Sequence, residues 1–208
     1  MGCEIILKYF PHITDEQKRQ FAALEELYAD WNSKINVISR KDFPSFYLHH
    51  VLHSLAIARI CHFAENARVA DVGCGGGFPS IPLAILHPHA RFTAVDSIAK
   101  KINVVRAVAE ALGLKNTEAV NARFEQLPQR FDYVVSRAVT DTKTLVGWVW
   151  NKIDTGQCGT LPNGILCLKG GELAEELAAT RKYWRIFEIS HLFDEEFFQT
   201  KKIIYTQK

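Results

Sequence analysis

A glycine-rich turn in this chain reads Asp71-Val72-Gly73-Cys74-Gly75-Gly76-Gly77-Phe78-Pro79-Ser80-Ile81. A short apolar run at 68–72 leads into it, and a second apolar run at 81–86 follows it. This order predicts a buried strand, a tight turn and the first turns of a helix. The glycines carry no Cβ, so the backbone can take unusual dihedral angles and a ligand can approach it closely.

The spacing of the glycines indicates which ligand the turn binds. The dinucleotide fingerprint G-x-G-x-x-G requires glycine or alanine at its sixth position, where this chain has Phe78. The turn has instead the form acid-x-G-x-G-x-G, which is typical of class I methyltransferases that bind S-adenosylmethionine (AdoMet). We therefore predict AdoMet as the cofactor, with Gly73 and Gly75 among the residues that contact it.

The composition is that of a globular protein with one domain, or one domain and an appendage. Of 208 residues, 48% are hydrophobic and 23% are charged, and the formal net charge is only +2. A nucleic-acid partner would therefore require a local basic face. The five cysteines form no C-x-x-C pair, and no apolar run approaches the roughly 20 residues that cross a bilayer. We expect a monomeric, cytoplasmic protein that does not enter a membrane.

The pattern along the chain divides it into two predicted parts. Residues 1–66 form an N-terminal helical extension, and residues 67–208 form a Rossmann-like AdoMet-binding domain. In the extension, Thr14-Asp15-Glu16-Gln17 is a capping box that begins a helix ending near Asn32-Ser33. A connector and a second helical stretch over 43–63 follow.

Strand and helix patterns alternate in the second part. The predicted strands are 68–72, 91–95, 117–121, 132–136, 164–168, 186–192 and 202–207. The predicted helices are 79–87, 99–112, 142–151 and 172–184. This alternation predicts an α/β fold with a mainly parallel sheet covered on both faces, and the short last connection predicts a C-terminal antiparallel hairpin. Ligands of such sheets bind beyond the carboxyl ends of the strands.

Two aspartates at strand ends are candidate cofactor ligands. Asp96 closes the second strand, where its carboxylate can accept hydrogen bonds from both ribose hydroxyls. The alternative for Asp96 is the N-cap of the helix that starts near Ala99. Asp71 precedes the first glycine, and it either holds the turn or binds the methionine amino group.

Two phenylalanines each have two roles open to them. Phe124 follows the third strand, where its backbone amide can contact adenine or its ring can fill the core. Phe78 forms either a wall of the cofactor pocket or part of the packing around it. Cys74 fills space in the turn, because methyl transfer to a nucleophilic acceptor requires no enzyme thiol.

Eight segments of the chain match the signatures of one known family. They are Trp31-Asn32, Asn36-Val37-Ile38-Ser39-Arg40, His50-Val51-Leu52-His53-Ser54-Leu55, residues 71–83, Asp96-Ser97-Ile98-Ala99-Lys100-Lys101, Arg123-Phe124-Glu125, Ser136-Arg137-Ala138 and Leu168-Lys169-Gly170. On these segments the chain resembles the bacterial small-subunit ribosomal RNA methyltransferase G family, also called glucose-inhibited division protein B. It departs from the family at His53, where an aspartate is common, and at Ser80, where a glycine is common.

The resemblance implies an activity, a partner and a set of site residues. The activity is methylation of guanine N7 at nucleotide 527 of 16S rRNA, in the 530 loop of the small ribosomal subunit. The partner is 16S rRNA, either free or within the small subunit. The implied AdoMet site comprises Gly73, Phe78, Asp96, Ser97, Ile98, Phe124, Glu125 and Arg137.

Guanine N7 carries an unprotonated lone pair that can attack a sulfonium methyl directly, so this chemistry needs no catalytic base. Catalysis then depends on alignment, which supplies up to about 7–11 kcal/mol in favourable cases. We expect Arg137, Lys169 and Arg123 to position the substrate by binding phosphate or the O6 edge of guanine. Contact with the AdoMet carboxylate is a second role open to Arg137. The alternative for Arg137 and Lys169 is a surface ion pair with Asp132 or Glu172.

Further cations predict a phosphate-binding rim, with a solvated surface as the alternative. They are Lys34, Arg40, Lys41, Lys100, Lys101, Arg181, Lys182 and Arg185. His49, His50 and His53 share a helix face, but no additional zinc ligand is suitably spaced, so we predict packing and no metal site. Two other functions remain open: methyl transfer to a small molecule, and a ribosome assembly factor that binds AdoMet without transferring its methyl group.

Overall fold

A seven-stranded sheet forms the centre of the molecule. The computed structural model describes residues 2–137 and 139–208, so Ala138 of the Ser136-Arg137-Ala138 signature lies outside the described residues. The strands are β1 Arg68–Val72, β2 Arg91–Asp96, β3 Thr117–Asn121, β4 Tyr133–Arg137, β5 Gly164–Gly170, β6 Arg185–Glu188 and β7 Lys201–Gln207. Their order across the sheet is β3-β2-β1-β4-β5-β7-β6.

The strand directions confirm the predicted α/β class. Strands β1 to β5 run parallel to one another, and β7 runs antiparallel to both β5 and β6. After β3 the chain crosses to the other side of β1 and continues with β4. Strand order therefore reverses between β1 and β4, which is where open sheets of this type bind their ligands.

Helices cover both faces of the sheet. They are α1 Glu4–Tyr9, α2 Asp15–Lys34, α3 His53–Ile60, α4 Ser80–Leu86, α5 Ala99–Ala111, α6 Thr142–Val149 and α7 Ala174–Ala178. One apolar cluster joins α1 to α5 on one face, and a second cluster joins α6 and α7 on the other. The N-terminal helices thus share a core with α4 and α5, and the domain boundary after residue 66 stays a prediction. In the described part of the chain, no helix is long and apolar enough to cross a membrane.

Helix α2 begins at the predicted capping box. Gln17 N donates to Thr14 Oγ1 at 3.2 Å, and Thr14 N donates to Gln17 Oε1 at 2.8 Å. The helix ends at Lys34, beyond the predicted Asn32-Ser33. The Asn32 side chain instead holds the following connector, because its Oδ1 accepts hydrogen bonds from Val37 N and Ile38 N.

The segment over 43–63 is not the single helix that the sequence predicts. A 3₁₀ turn at Phe43–Ser45 is followed by a π-helical segment at Tyr47–Leu52, and only then by α3 at His53–Ile60. Wider π turns shift the side chains relative to an α-helix and occur frequently at functional sites. Here the π segment carries His49 and His50 toward the end of β4, where both contact functional candidates described below.

Two C-terminal elements are shorter than predicted. The helix expected over 172–184 is confined to Ala174–Ala178, because Thr180 Oγ1 donates to Leu177 O at 2.7 Å and Arg181 takes a positive φ of 54°. The strand expected over 186–192 ends at Glu188, where the chain enters a 3₁₀ turn. The predicted antiparallel hairpin between the last two strands is confirmed.

Candidate active site

A crevice lies at the carboxyl ends of β1, β2 and β3, beside the point where strand order reverses. Its volume is about 420 Å³, within the range of about 300–1,000 Å³ that small-molecule and cofactor sites occupy. Its lining residues are Val72, Gly73, Val95, Asp96, Ser97, Ile98, Lys101, Ala122, Arg123, Phe124, Glu125, Val139 and Trp148. Most of the predicted cofactor-binding residues therefore meet in one place.

The glycine turn joins β1 to α4 and forms one wall of this crevice. Gly73 N and Cys74 N donate to Val95 O at 2.9 and 3.0 Å, so the turn is fastened to β2. Gly73 has a φ of +67°, and a Cβ at this position would lie only 2.1 Å from Val139 Cγ2. Gly75 has a φ of +56°, and a Cβ at this position would have no atom of the described residues within 4 Å, apart from its own chain neighbours. The turn is thus closed at Gly73 and open at Gly75.

Asp96 is fixed at the end of β2 by two backbone amides. Gly75 N donates to its Oδ2 at 3.0 Å, and Ile98 N donates to its Oδ1 at 2.8 Å. The N-cap alternative is wrong, since α5 begins at Ala99 with Ile98 as its N-cap and without a side-chain cap. The carboxylate lies instead between the glycine turn and the crevice.

Asp71 is completely buried at the end of β1. Its Oδ2 accepts a hydrogen bond from Ser80 N at 2.9 Å, which fastens the start of α4 to the strand. Its Oδ1 has no hydrogen-bond partner among the described residues. Burial raises the pKa of Asp71 to about 7, and the nearby charge of Arg137 opposes this rise. Of the two predicted roles, the geometry supports the one in which Asp71 holds the turn.

The rings of both candidate phenylalanines belong to the core. Phe124 lines the edge of the crevice, but its ring packs against Phe131 at 5.7 Å between centroids. Phe78 packs against Tyr28 at 4.9 Å and does not line the crevice. The packing alternative therefore accounts for the Phe78 ring, while the contact of the Phe124 amide with adenine stays a prediction.

Arg137 reaches from the end of β4 to the π segment. Its Nη1 donates to His49 O at 3.1 Å, its Nη2 lies 3.0 Å from His50 Nδ1, and its guanidinium lies 5.2 Å from the centroid of the Phe78 ring. Burial lowers the pKa of Arg137 to about 10, so the side chain stays charged at neutral pH. The alternative of an ion pair with Asp132 is wrong for Arg137, because Asp132 binds Arg68.

The two histidines of the π segment share one carboxylate. Asp42 Oδ1 lies 2.6 Å from His49 Nδ1, and Asp42 Oδ2 lies 2.6 Å from His50 Nε2. Burial, followed by the charge of Arg137, lowers the pKa of His50 to about 4. A neutral His50 therefore donates to Asp42 and accepts from Arg137, which orients the guanidinium. The described residues contain no group of three or more His, Cys, Asp or Glu side chains with an arrangement that could hold a metal ion.

Lys169 extends from β5 and is held in place by two acceptors. Its Nζ donates to Thr140 O at 3.0 Å and to Glu176 Oε1 at 2.8 Å. Lys169 does form an ion pair, but the partner is Glu176 of α7 and neither Asp132 nor Glu172. The remaining candidate, Arg123, is exposed at the rim of the crevice.

A second cavity adjoins the crevice and shares Val139 with it. It measures about 600 Å³ and is lined by His53, Arg137, Val139, Thr140, Leu168, Lys169, Gly170 and Lys201. Two predicted positioning residues, Arg137 and Lys169, thus line a compartment next to the predicted cofactor site. A further cavity of about 650 Å³ lies at the opposite edge of the sheet, and none of the predicted site residues lines it.

The predicted basic rim is divided between the two edges of the sheet. Arg185 pairs with Tyr205 near the end of β7 that lies beside Gly164, the first residue of β5. Arg181, Lys182 and Arg185 therefore lie at the amino edge, far from the crevice, and their place in the rim is wrong. Lys100 and Lys101, at the start of α5, lie at the carboxyl edge.

Comparison with known proteins decides the family. A sequence profile for rRNA small subunit methyltransferase G matches residues 17–204. The chain belongs to this family. A ribosomal RNA small subunit methyltransferase G of Bacteroides fragilis is 54% identical, over 98% of this chain and 91% of the relative. The protein of the same name from Flavobacterium johnsoniae is 52% identical, over 96% of this chain and 95% of the relative.

Solved structures with low sequence identity show the same fold. Magnesium protoporphyrin IX methyltransferase from Synechocystis is 15% identical and has a TM-score of 0.58, over 95% of this chain and 99% of that one. A SAM-dependent methyltransferase from Aquifex aeolicus is 13% identical with a TM-score of 0.58, over 77% and 92% of the two chains. The predicted class I methyltransferase fold is confirmed.

Of three further residues around the site, the sequence patterns indicated Lys101 only as part of the basic rim and did not indicate Trp148 or Lys201. Trp148 of α6 and Lys101 of α5 line the crevice, and Lys201 of β7 lines the second cavity. The helical pattern predicted both helices but not which of their faces meets the crevice. Lys201 begins an antiparallel strand beside Gly170, and that register was the signal that would have placed it at the carboxyl edge.

Proposed function

We propose that this chain transfers a methyl group from AdoMet to N7 of a guanine in 16S rRNA, at nucleotide 527 in the 530 loop. The observation that supports this proposal is the junction of the two compartments at Val139. One compartment has the carboxylate that a ribose requires, and the other has cations that suit a guanine. We further propose that the protein acts as a monomer in the cytoplasm and without a metal ion.

The residues of the crevice fit AdoMet. Each oxygen of Asp96 accepts one backbone amide and keeps a second lone-pair direction for a ribose hydroxyl. Val72, Val95 and Trp148 provide apolar walls for the adenine, with Glu125 at the rim. When bound, AdoMet supplies an electrophilic methyl group on a sulfonium.

Gly73, Gly75, Ser97 and Ile98 complete the proposed cofactor site. The positive φ of Gly73 lets the turn lie against Val139 without a side chain between them. The open space at Gly75 lies next to Asp96, where a side chain would compete with a ligand. The main chain of Ser97 and Ile98 continues the same wall.

Arg137 and Lys169 keep donors free for the acceptor base. A guanidinium has five N–H groups, of which Arg137 uses two, and an ammonium has three, of which Lys169 uses two. Both residues line the second cavity, where O6 of a guanine would accept the remaining donors. Because both side chains are already held by protein partners, they align the base at little further cost in conformational entropy.

The cations at the carboxyl edge would bind the RNA backbone around the target base. Lys101 and Arg123 line the crevice and Lys201 lines the second cavity, while Lys100 stands beside Lys101 at the start of α5. A small-molecule methyltransferase would not need such a border. Family membership also favours ribosomal RNA as the substrate over a small molecule.

Transfer of labelled methyl groups tests this function. Small subunits that lack the modification are incubated with labelled AdoMet and the wild-type protein, Asp96→Ala or Lys169→Met. We expect label in 16S rRNA with the wild type, and at least a tenfold loss, equal to about 1.4 kcal/mol, with each variant. Lys182→Met, a cation at the amino edge, is the matched control and should retain activity.

Each alternative function gives a different result in the same experiment. AdoMet binding without any transfer would indicate an assembly factor. Label in a small molecule of a cell extract, and none in the rRNA, would indicate a small-molecule methyltransferase. Either result would overturn the proposal.

A further inference from the structure

One buried side-chain nitrogen in the lining of the second cavity has no hydrogen-bond partner in the described part of the chain. His53 is only 7% exposed, and its Nε2 has no hydrogen-bond partner among the described residues. Its ring packs against Phe197 and Phe198, at 5.6 and 6.0 Å between centroids. The side chain lines the same cavity as Arg137 and Lys169. A buried polar atom without a partner is costly, and because this one belongs to a residue that lines the cavity, a bound ligand could supply the missing hydrogen bond.

The ring of His53 is neutral. Burial, followed by the charges of Arg137 and Lys201, lowers the pKa of His53 to about 3. A hydrogen bond with the backbone of His49 has the opposite effect on this pKa. A backbone acceptor at His49 favours the tautomer in which Nδ1 carries the ring proton. Nε2 then presents a bare lone pair, and the positive charges of Arg137 and Lys201 favour that tautomer.

The side chains that line the cavity thus combine three cationic hydrogen-bond donors with the acceptor Nε2 of His53. Arg137, Lys169 and Lys201 can only donate hydrogen bonds, whereas Nε2 of His53 can only accept one. On a guanine, the O6 acceptor stands directly beside the N1–H donor and near the 2-amino donor. On an adenine, the corresponding positions carry a 6-amino donor and an N1 acceptor. The polarity of this cavity matches guanine and opposes adenine.

We propose that His53 is the residue that selects guanine as the methyl acceptor. Its Nε2 accepts a hydrogen bond from the N1–H or 2-amino edge of the base while Arg137 and Lys169 donate to O6. This inference rests on the proposed function and adds the specificity of the acceptor pocket. An adenine would place its N1 lone pair against that of Nε2, with no donor between them.

The substitutions His53→Leu and His53→Gln test the proposal. Both proteins are assayed on small subunits that carry the target guanine and on subunits with adenine at the same nucleotide. Adenine also has an N7 atom and can therefore serve as an alternative methyl acceptor. For His53→Leu we expect kcat/KM on guanine to fall by about 10- to 100-fold, as for other base-edge hydrogen bonds. The ratio of guanine to adenine transfer should fall at least tenfold. His53→Gln keeps an acceptor and should restore part of both values.

His87→Leu is the matched control. His87 is also a buried histidine whose Nε2 has no partner among the described residues, but it lies at the end of α4, away from both cavities. It should leave the ratio of guanine to adenine transfer unchanged. Affinity for S-adenosylhomocysteine, measured by calorimetry, should be the same in all three variants and the wild type.

The outcomes separate this inference from the function on which it rests. A purely structural role of His53 would lower transfer to both bases alike and leave their ratio unchanged, which would overturn the inference. A guanine kcat/KM within twofold of the wild type, or adenine transfer that stays undetectable in His53→Leu, would overturn it as well. Absence of any transfer by the wild type would instead refute the proposed function.

Discussion

Gly73 has a φ of +67°, and a Cβ built on it would lie 2.1 Å from Val139 Cγ2. Gly113 has almost the same φ, +66°, but apart from its chain neighbours no atom in the described part of the chain lies within 4 Å of its Cβ position. Alanine at Gly113 should therefore cost only the strain of a left-handed residue, about 1–2 kcal/mol of unfolding free energy. Gly73→Ala should cost more and should also weaken the binding of S-adenosylhomocysteine. Urea unfolding and calorimetry measure both, and equal losses in the two variants would contradict the proposed closure of the turn.

Asp71 makes the stability of the protein depend on pH. Its pKa of about 7 lies above the usual 3.8, so the folded protein binds more protons than the unfolded chain between these values. The contribution of Asp71 to the unfolding free energy is fully present below about pH 4 and is lost as pH rises to about 7. Asp71→Asn removes this loss, while the amide oxygen can still accept from Ser80 N.

The unfolding free energy of Asp71→Asn is best compared with that of the wild type at pH 5 and pH 8. The advantage of the variant should grow by about 2–3 kcal/mol between these pH values, since one pKa unit corresponds to about 1.4 kcal/mol. The difference in unfolding free energy between variant and wild type is taken at each pH, so the contributions of the other titrating groups cancel. A difference that is the same at both pH values would show that Asp71 is ionised with its usual pKa.

Single residues at strand ends were the part of the site that the sequence predicted best. Asp96 and Lys169 could be placed at the carboxyl edge because each ends a recognisable strand pattern. The partner of Lys169 could not be predicted. It is Glu176 of α7, a helix that is shorter than the sequence pattern predicted. The His53 ring is neutral partly because of charges on β4 and β7, which are distant from it in the sequence. No local sequence pattern predicts this state.

Helix α2 couples the N-terminal part of the chain to the glycine turn. Tyr28 is completely buried, and its hydroxyl donates to Gly76 O at 2.5 Å. Tyr28→Phe leaves this buried carbonyl without a donor, which costs about 1–3 kcal/mol of unfolding free energy. Because Gly76 belongs to the turn, the variant should also bind S-adenosylhomocysteine more weakly in calorimetry.

Tyr47→Phe is the control for that coupling. The hydroxyl of Tyr47 is also buried and donates to Phe21 O at 2.9 Å, away from the turn. This variant should lose comparable stability and keep the wild-type affinity. If Tyr28→Phe also kept it, α2 would support the fold without supporting the cofactor site.

Among the secondary-structure elements, the hardest to predict were helices that change type along their length. The apolar pattern over 43–63 predicts a helix but does not reveal where its turns widen. The π segment at Tyr47–Leu52 brings His50 within reach of Arg137 and Asp42, and these contacts favour the wider turn. Tertiary contacts of this kind override local pattern, and only the folded chain displays them.

At the scale of the whole molecule, the carboxyl and amino edges of the sheet differ in their cavities and in their cationic residues. The carboxyl edge carries the crevice, the second cavity and the cations Lys100, Lys101 and Lys201. The strand pattern and its order along the chain predicted this edge as the binding edge. They did not predict that β6 would turn Arg181, Lys182 and Arg185 to the opposite edge, because that depends on the antiparallel register of β7.

Binding to the small subunit should therefore weaken steeply as salt rises. Each phosphate contact that is lost should reduce the slope of log K against log salt by about 0.7–0.9, through counterion release. Lys100→Met, at the carboxyl edge, should reduce the slope by about one such step. Arg185→Gln, at the amino edge, should leave it unchanged. A flat salt response of the wild type would exclude phosphate contacts as the source of affinity.

The most direct test is to map the methylated atom. Small subunits without the modification are treated with AdoMet and the wild-type protein, and their 16S rRNA is reduced with borohydride and cleaved with aniline, which breaks RNA at N7-methylguanine. We predict one new cleavage site, at a guanine in the 530 loop, that is absent with Asp96→Ala. Methyl incorporation without cleavage, or cleavage at another guanine, would contradict the transfer of a methyl group to N7 of that base.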